Sequence, residues 1–144
     1  MDTRKRGSPR CYHLSPALVL APLVLLGSLA LSNASEAQPA DLAGSWSGGG
    51  SVSFASGGRE SARCRANYSR RSNTTYDLTA TCATASGRAT QTASVRSVGR
   101  NSYQGSFYNS EYNVSGTIHV VVRGNRQSVQ LTSDAGSASL QLSR

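Results

Sequence analysis

From residue 44 to residue 144 the chain alternates apolar and polar side chains with a period of two, in eight short runs closed by turn residues. That period is the pleat of a β-strand, and no window of the stretch carries a helical period. In the first run Trp46, Gly48, Gly50, Val52 and Phe54 share one parity, with serines mostly between them, before Ser56-Gly57-Gly58 turns the chain. Later runs are punctuated by Gly99-Arg100-Asn101, Asn109-Ser110, Gly124-Asn125 and Asp134-Ala135-Gly136. Runs so evenly spaced, with such short turns, predict an all-β fold: an eight-stranded antiparallel up-and-down barrel, whose closure removes exposed edges. An antiparallel β-sandwich built from the same meander is the alternative. A transmembrane barrel also alternates, but it needs bulky apolar residues facing lipid and aromatic girdles. Here the apolar face is rich in Ala, Gly and Cys.

Two runs test each other. Ala62, Cys64, Ala66 and Tyr68 alternate with Ser61, Arg63, Arg65 and Asn67; Tyr76, Leu78, Ala80 and Cys82 alternate with Thr75, Asp77, Thr79 and Thr81. A hairpin centred on Asn73 sets Cys64 opposite Cys82, Ala66 opposite Ala80 and Tyr68 opposite Leu78. A slip of one residue breaks every one of these pairs. Directly opposed cysteines lie within disulfide reach. A Cys64–Cys82 bond would close a loop worth about 3 kcal/mol through the unfolded state, a large share for a domain with so small a core.

The first 37 residues read as a secretory signal. Arg4, Lys5, Arg6 and Arg10 form a basic start, Leu14 to Leu31 is mostly Leu, Ala and Val, and Ser35-Glu36-Ala37 offers a small-x-small cleavage site, with cleavage after Ala34 as its competitor. A membrane anchor is the rival reading; Pro16, Pro22, Gly27 and Ser28 interrupt the apolar stretch. The expected organisation is a signal peptide over 1–37, a lead-in over 38–43 and one barrel domain over 44–144, in a periplasmic or secreted protein with no transmembrane span after cleavage. From Gln38 onward eleven basic residues remain, all arginine, against five acidic ones, a net charge of about +6. A basic exported domain meets anionic or carbohydrate cell-envelope material first. Export argues against nucleic acid as the partner. Two cysteines in such a domain fit a disulfide.

Two groups of residues are candidates for ligand contact. Arg63 and Arg65 share the outward face of one run, and the hairpin carries Arg70 and Arg71 to its tip; arginine forks grip phosphate and carboxylate bidentately. A solvated face is the plainer reading of the same residues. The second group lies in Tyr103–Tyr112, where Tyr108 points outward and Tyr112 sits just past a turn, beside Asn109 and Glu111. Exposed tyrosines of this kind stack on sugars, whereas capping one end of the core is the competing role. Catalysis is not expected. His119 is the sole histidine after residue 37, it points outward, and neither a nucleophile–base pair nor a Gly-x-Ser-x-Gly elbow is present. Scattered carboxylates and one histidine give no metal-ligand spacing, and no cofactor is implied. The inward positions, mostly Ala, Gly, Val, Leu and Cys, argue against a large internal cavity in a barrel of this size, although small side chains also leave space.

Gly44-Ser45-Trp46 resembles the strand start of calycin-type barrels: lipocalins, avidins and small periplasmic barrel inhibitors of metalloproteases. The resemblance implies a Trp46 plug across one barrel end, packed near a late arginine, Arg126 or Arg144. Leu42-Ala43-Gly44-Ser45-Trp46, Ala62-Arg63-Cys64-Arg65-Ala66 and Gly105-Ser106-Phe107-Tyr108-Asn109-Ser110 also resemble small uncharacterised exported proteins of alphaproteobacteria, with no activity implied. The functional expectation is a non-enzymatic binding or envelope-associated barrel. The alternatives are a protease inhibitor acting through Gln38 to Ala43 and a small hydrophobic-ligand carrier.

Overall fold

The computed structural model describes residues 40–144; the expected signal peptide and the first two residues of the lead-in lie outside the described residues. Eight strands follow in order: β1 Gly44–Phe54, β2 Arg59–Arg70, β3 Thr75–Thr84, β4 Gly87–Ser97, β5 Ser102–Asn109, β6 Val114–Arg123, β7 Arg126–Ser133 and β8 Gly136–Ser143. Each pairs antiparallel with the next, and β8 pairs with β1 to close the barrel. The sandwich alternative is thereby excluded. The β2–β3 register is the one the sequence dictates, with Cys64 opposite Cys82, Ala66 opposite Ala80 and Tyr68 opposite Leu78. The two cysteines form a disulfide across Cα atoms 4.1 Å apart.

Closure depends on β1 and β8 approaching closely. Gly48 and Gly50 lie on the inward parity of β1, opposite Leu142 and Leu140. A Cβ on Gly48 would stand 2.9 Å from the Leu142 Cα, and one on Gly50 2.8 Å from the Leu140 Cα. Glycine at these two positions lets one backbone pass over the other where the sheet coils shut.

The core lies inside the barrel, with β2 alternating buried Ala62, Cys64, Ala66 and Tyr68 against exposed Ser61, Arg63, Arg65 and Asn67. Apolar-in and polar-out is the inverse of a membrane-spanning barrel. Among the described residues no helix is long and apolar enough to cross a membrane.

In an up-and-down barrel, alternate turns gather at opposite ends. The β1–β2, β3–β4, β5–β6 and β7–β8 turns form one rim, here the mouth. The other three turns, the lead-in and Arg144 form the base. Inward side chains are graded between these ends. The aromatic residues Trp46, Tyr68, Tyr76 and Tyr103 fill the base and are almost fully buried. Toward the mouth the inward positions shrink to Val52, Ala62, Ala89, Ser133 and Ala138. Aromatic bulk at one end and small residues at the other give a barrel plugged below and hollow above.

A plugged base and an open cup

The base is sealed by the lead-in. Leu42 is fully buried, and its carbonyl accepts a hydrogen bond from the Trp46 indole N–H at 2.9 Å. Tyr76 and Tyr103 meet edge to face, with centroids 5.6 Å apart. The Tyr103 hydroxyl donates to the Ala40 carbonyl, and the Tyr76 hydroxyl donates to Asp41 Oδ1 at 2.9 Å. Asp41 also accepts from the Ala43 N–H and pairs with Arg70, each at 2.9 Å. The Ala43 N–H is the main influence holding the Asp41 carboxyl below its ordinary pKa, followed by Tyr76 and Arg70. Burial is the main cause of raised pKa values in Tyr68 and Tyr76, and it pushes Tyr103 to about 12.

Of the two arginines expected near Trp46, Arg144 takes the position. Its guanidinium lies 4.4 Å from the indole centroid, and it donates to the carbonyls of Ala43 and Asp41 at 3.0 and 3.1 Å. Arg126 is instead exposed on the outer side of β7. Residues 40–43 are thus built into the base of the barrel, so this part of the lead-in is not free to enter a protease, as the inhibitor reading requires.

The opposite end holds a cup of about 510 Å³. Its floor includes Cys82, Phe107 and Leu131, and its wall includes Val52, Val114 and Ala138. Below this floor lies a void of about 20 Å³, lined almost entirely by apolar side chains. Of the two readings that the inward side chains allow, a filled interior holds for the lower half and open space for the upper half. Alanines on the inward parity of β4 and β8 leave room there that the aromatics occupy at the base.

Two amides enter the cup wall side by side. Gln91 and Asn109 are directly opposed on β4 and β5, both on the inward parity. The Asn109 Oδ1 accepts from the N–H groups of Glu111 and Tyr112 at 3.0 and 3.1 Å, fixing the β5–β6 turn, so its amide nitrogen is the end left to donate. Glu60 is the one charged side chain on the cavity wall among the described residues. It accepts hydrogen bonds from the Ser86 hydroxyl and, at 3.0 Å, from the Ser86 N–H. The Ser86 hydroxyl leads in lowering its pKa, with Thr84 and the Ser86 N–H adding to the effect. The lip of the cup therefore carries an ionised carboxylate at neutral pH.

The candidate contact residues do not converge. Arg63 and Arg65 are exposed halfway along the outer wall of β2. Arg70 lies 5.2 Å from the Tyr76 ring centroid and pairs with Asp41, while Arg71 pairs with Asp77 at 2.7 Å. These two are engaged in holding the base. Because β5 runs from base to mouth, the tyrosine segment is stretched over the whole barrel height. Tyr103 is in the base, Phe107 at the cup floor, and Tyr112 at the lip, 60% exposed. Tyr108 is 46% exposed on the outer wall, with its hydroxyl 3.2 Å from Asn113 Oδ1. Only Tyr112 among the six candidates lines the cup. His119 is half-buried on the outward parity of β6. Among the described residues no three His, Cys, Asp or Glu side chains gather as metal ligands.

Gln91 and Glu60, which the sequence reading missed, and Asn109, which it placed only beside the exposed tyrosines, carry one signal: each is a polar residue on an otherwise apolar parity, in the mouth-side half of its strand.

No protein-family model matches the chain, and no curated relative matches it by sequence. By structure it is similar to designed barrels. A redesigned β-barrel, mFAP1, bound to DFHBI superposes with a TM-score of 0.62 at 16% identity, over 72% of this chain and 94% of that one. The redesigned barrel mFAP0, also bound to DFHBI, gives 0.60 at 17% identity, over 72% and 98%. A de novo designed fluorescence-activating β-barrel gives 0.56 at 16%, over 71% and 92%. At these identities the likeness establishes the fold: a closed eight-stranded antiparallel barrel.

Proposed function

We propose that the protein is a binding barrel that takes one small, largely apolar and uncharged or cationic molecule into the mouth cup. The observation that carries this reading is the cup itself, whose volume of about 510 Å³ falls within the range of small-molecule sites. Apolar floor and wall residues would supply most of the affinity. Gln91 and Asn109 would fix a hydrogen-bonding end of the ligand at one height on the wall, since amides left unpaired by a wrong ligand are costly. Glu60 at the lip opposes a carboxylate, so fatty-acid anions should bind worse than neutral amphiphiles of the same length. An exported setting is part of the proposal, supported by the leader-like residues 1–37 and the Cys64–Cys82 bond.

The test is equilibrium binding of neutral environment-sensitive dyes. Ala138→Phe, which fills the cup, should cut affinity by at least tenfold, on the order of 1.4 kcal/mol, while leaving the thermal midpoint near that of the parent. Glu60→Gln should improve binding of carboxylate dyes and leave neutral ones nearly unchanged. Dye binding that survives Ala138→Phe in a folded barrel would place the ligand elsewhere.

A further inference from the structure

We infer that the base of the barrel docks on an anionic lipid surface, through the β4–β5 and β6–β7 turns. This goes beyond the cup and does not depend on it. The charges are divided unevenly between the two ends. The mouth holds Arg59 and Arg88 against Glu60, Glu111 and Asp134, so it is close to neutral. Among the described residues the base has two carboxylate side chains, Asp41 and Asp77, and each is already paired, with Arg70 and Arg71. Arg96, Arg100, Arg123 and Arg126 are all exposed there, and among the described residues none of them forms an ion pair.

These four arginines belong to one surface. The Val122 N–H donates to the Asn101 carbonyl at 2.9 Å, joining the end of β6 to the β4–β5 turn. Arg96 and Arg100 bracket that turn. Arg123 and Arg126 flank the next turn as directly opposed cross-strand partners. Like charges placed opposite one another are unfavourable, and a bound phosphate relieves the repulsion through bidentate contacts.

One further residue indicates a lipid surface as the source of the phosphate. Val98 lies at the β4–β5 turn between Arg96 and Arg100 and is 52% exposed. An apolar side chain at the tip of a basic turn gains by entering the headgroup–acyl boundary, whereas a soluble polyanion offers it nothing. Docked this way, the barrel stands on its base with the cup facing solvent.

Sedimentation with vesicles tests the inference, using the chain from Gln38, which contains every strand and the sealing residues of the closed barrel. The protein should pellet with phosphatidylcholine vesicles containing phosphatidylglycerol, not with pure phosphatidylcholine, and less so as salt rises. Arg123→Gln with Arg126→Gln should weaken binding about tenfold or more. Arg59→Gln with Arg88→Gln, an equal charge change at the mouth, should leave it within about twofold, because the mouth points away from the surface. Val98→Ser should weaken it severalfold at high salt, where charge is screened. Near-ultraviolet circular dichroism confirms that each variant keeps the parent fold. Equal losses from the two arginine pairs, or equal binding to neutral vesicles, would overturn the inference. So would a Val98→Ser variant that binds like the parent while a short oligonucleotide or polyphosphate displaces the vesicles, since that result assigns the base to soluble polyanions.

Discussion

Gln127 is the most exacting single residue of the core. It is 1% exposed, on the inward parity of β7, and its Oε1 accepts from the Tyr68 hydroxyl at 3.0 Å. Its Nε2 is buried without a protein partner. A half-satisfied buried amide makes its one partner disproportionately important. Tyr68→Phe should therefore destabilise the fold by about 1–3 kcal/mol in urea unfolding. Combining it with Gln127→Leu should recover most of that loss, because both polar groups then leave the core together. If the double variant is as unstable as the sum of the singles, the Tyr68–Gln127 bond is not what sets the cost.

Among the elements, the β2–β3 hairpin is the most strongly specified. The disulfide joins facing positions of neighbouring strands, and its Cys82 side contributes to the cup floor. Reduction, or Cys64→Ala with Cys82→Ala, should lower stability by about 3 kcal/mol in denaturant unfolding. It should weaken dye binding in the cup more than it alters the base, as read by Trp46 fluorescence. The same hairpin explains why so much of the architecture is legible in the sequence. Two apolar pairs and the cysteine pair agree on a single register, and the remaining runs repeat its spacing. The cup is not legible in the same way. An inward list averaged over all strands looks small and evenly filling. Because successive strands run in opposite directions, Ala62–Cys64–Ala66–Tyr68 and Tyr76–Leu78–Ala80–Cys82 place their bulk at the same end. The base arginines are hidden for a related reason: Arg96 and Arg126 are far apart in sequence and come to the same end of the barrel only through the alternation of its turns. Arg70 and Arg71 stand out by adjacency, yet their partners, Asp41 and Asp77, come from the lead-in and the facing strand.

At the scale of the molecule, the base responds to pH in two opposite senses. Tyr68, Tyr76 and Tyr103 are concentrated in the base with pKa values raised above the ordinary 10.0, chiefly by burial. A raised folded value means that their contribution is complete below pH 10 and is lost as the pH climbs through the folded values. The barrel should therefore unfold in alkali, with phenolate absorbance appearing together with the loss of near-ultraviolet signal. Asp41 works in the opposite sense. Its lowered value gives stability that is present above 3.8 and fades as the pH falls below it. Asp41→Asn should flatten the acid limb of the stability curve, and it should move the alkaline limb to somewhat lower pH, because the Asp41 charge adds to burial in raising Tyr76 and Tyr103. The alternation of the turns has one more result. The lip of the cup comes from four hairpin tips spread evenly along the chain, none of which belongs to the base. Exchanging any one tip rewrites about a quarter of the opening and leaves the foundation intact, so the shape of the cup mouth can be changed loop by loop without rebuilding the base.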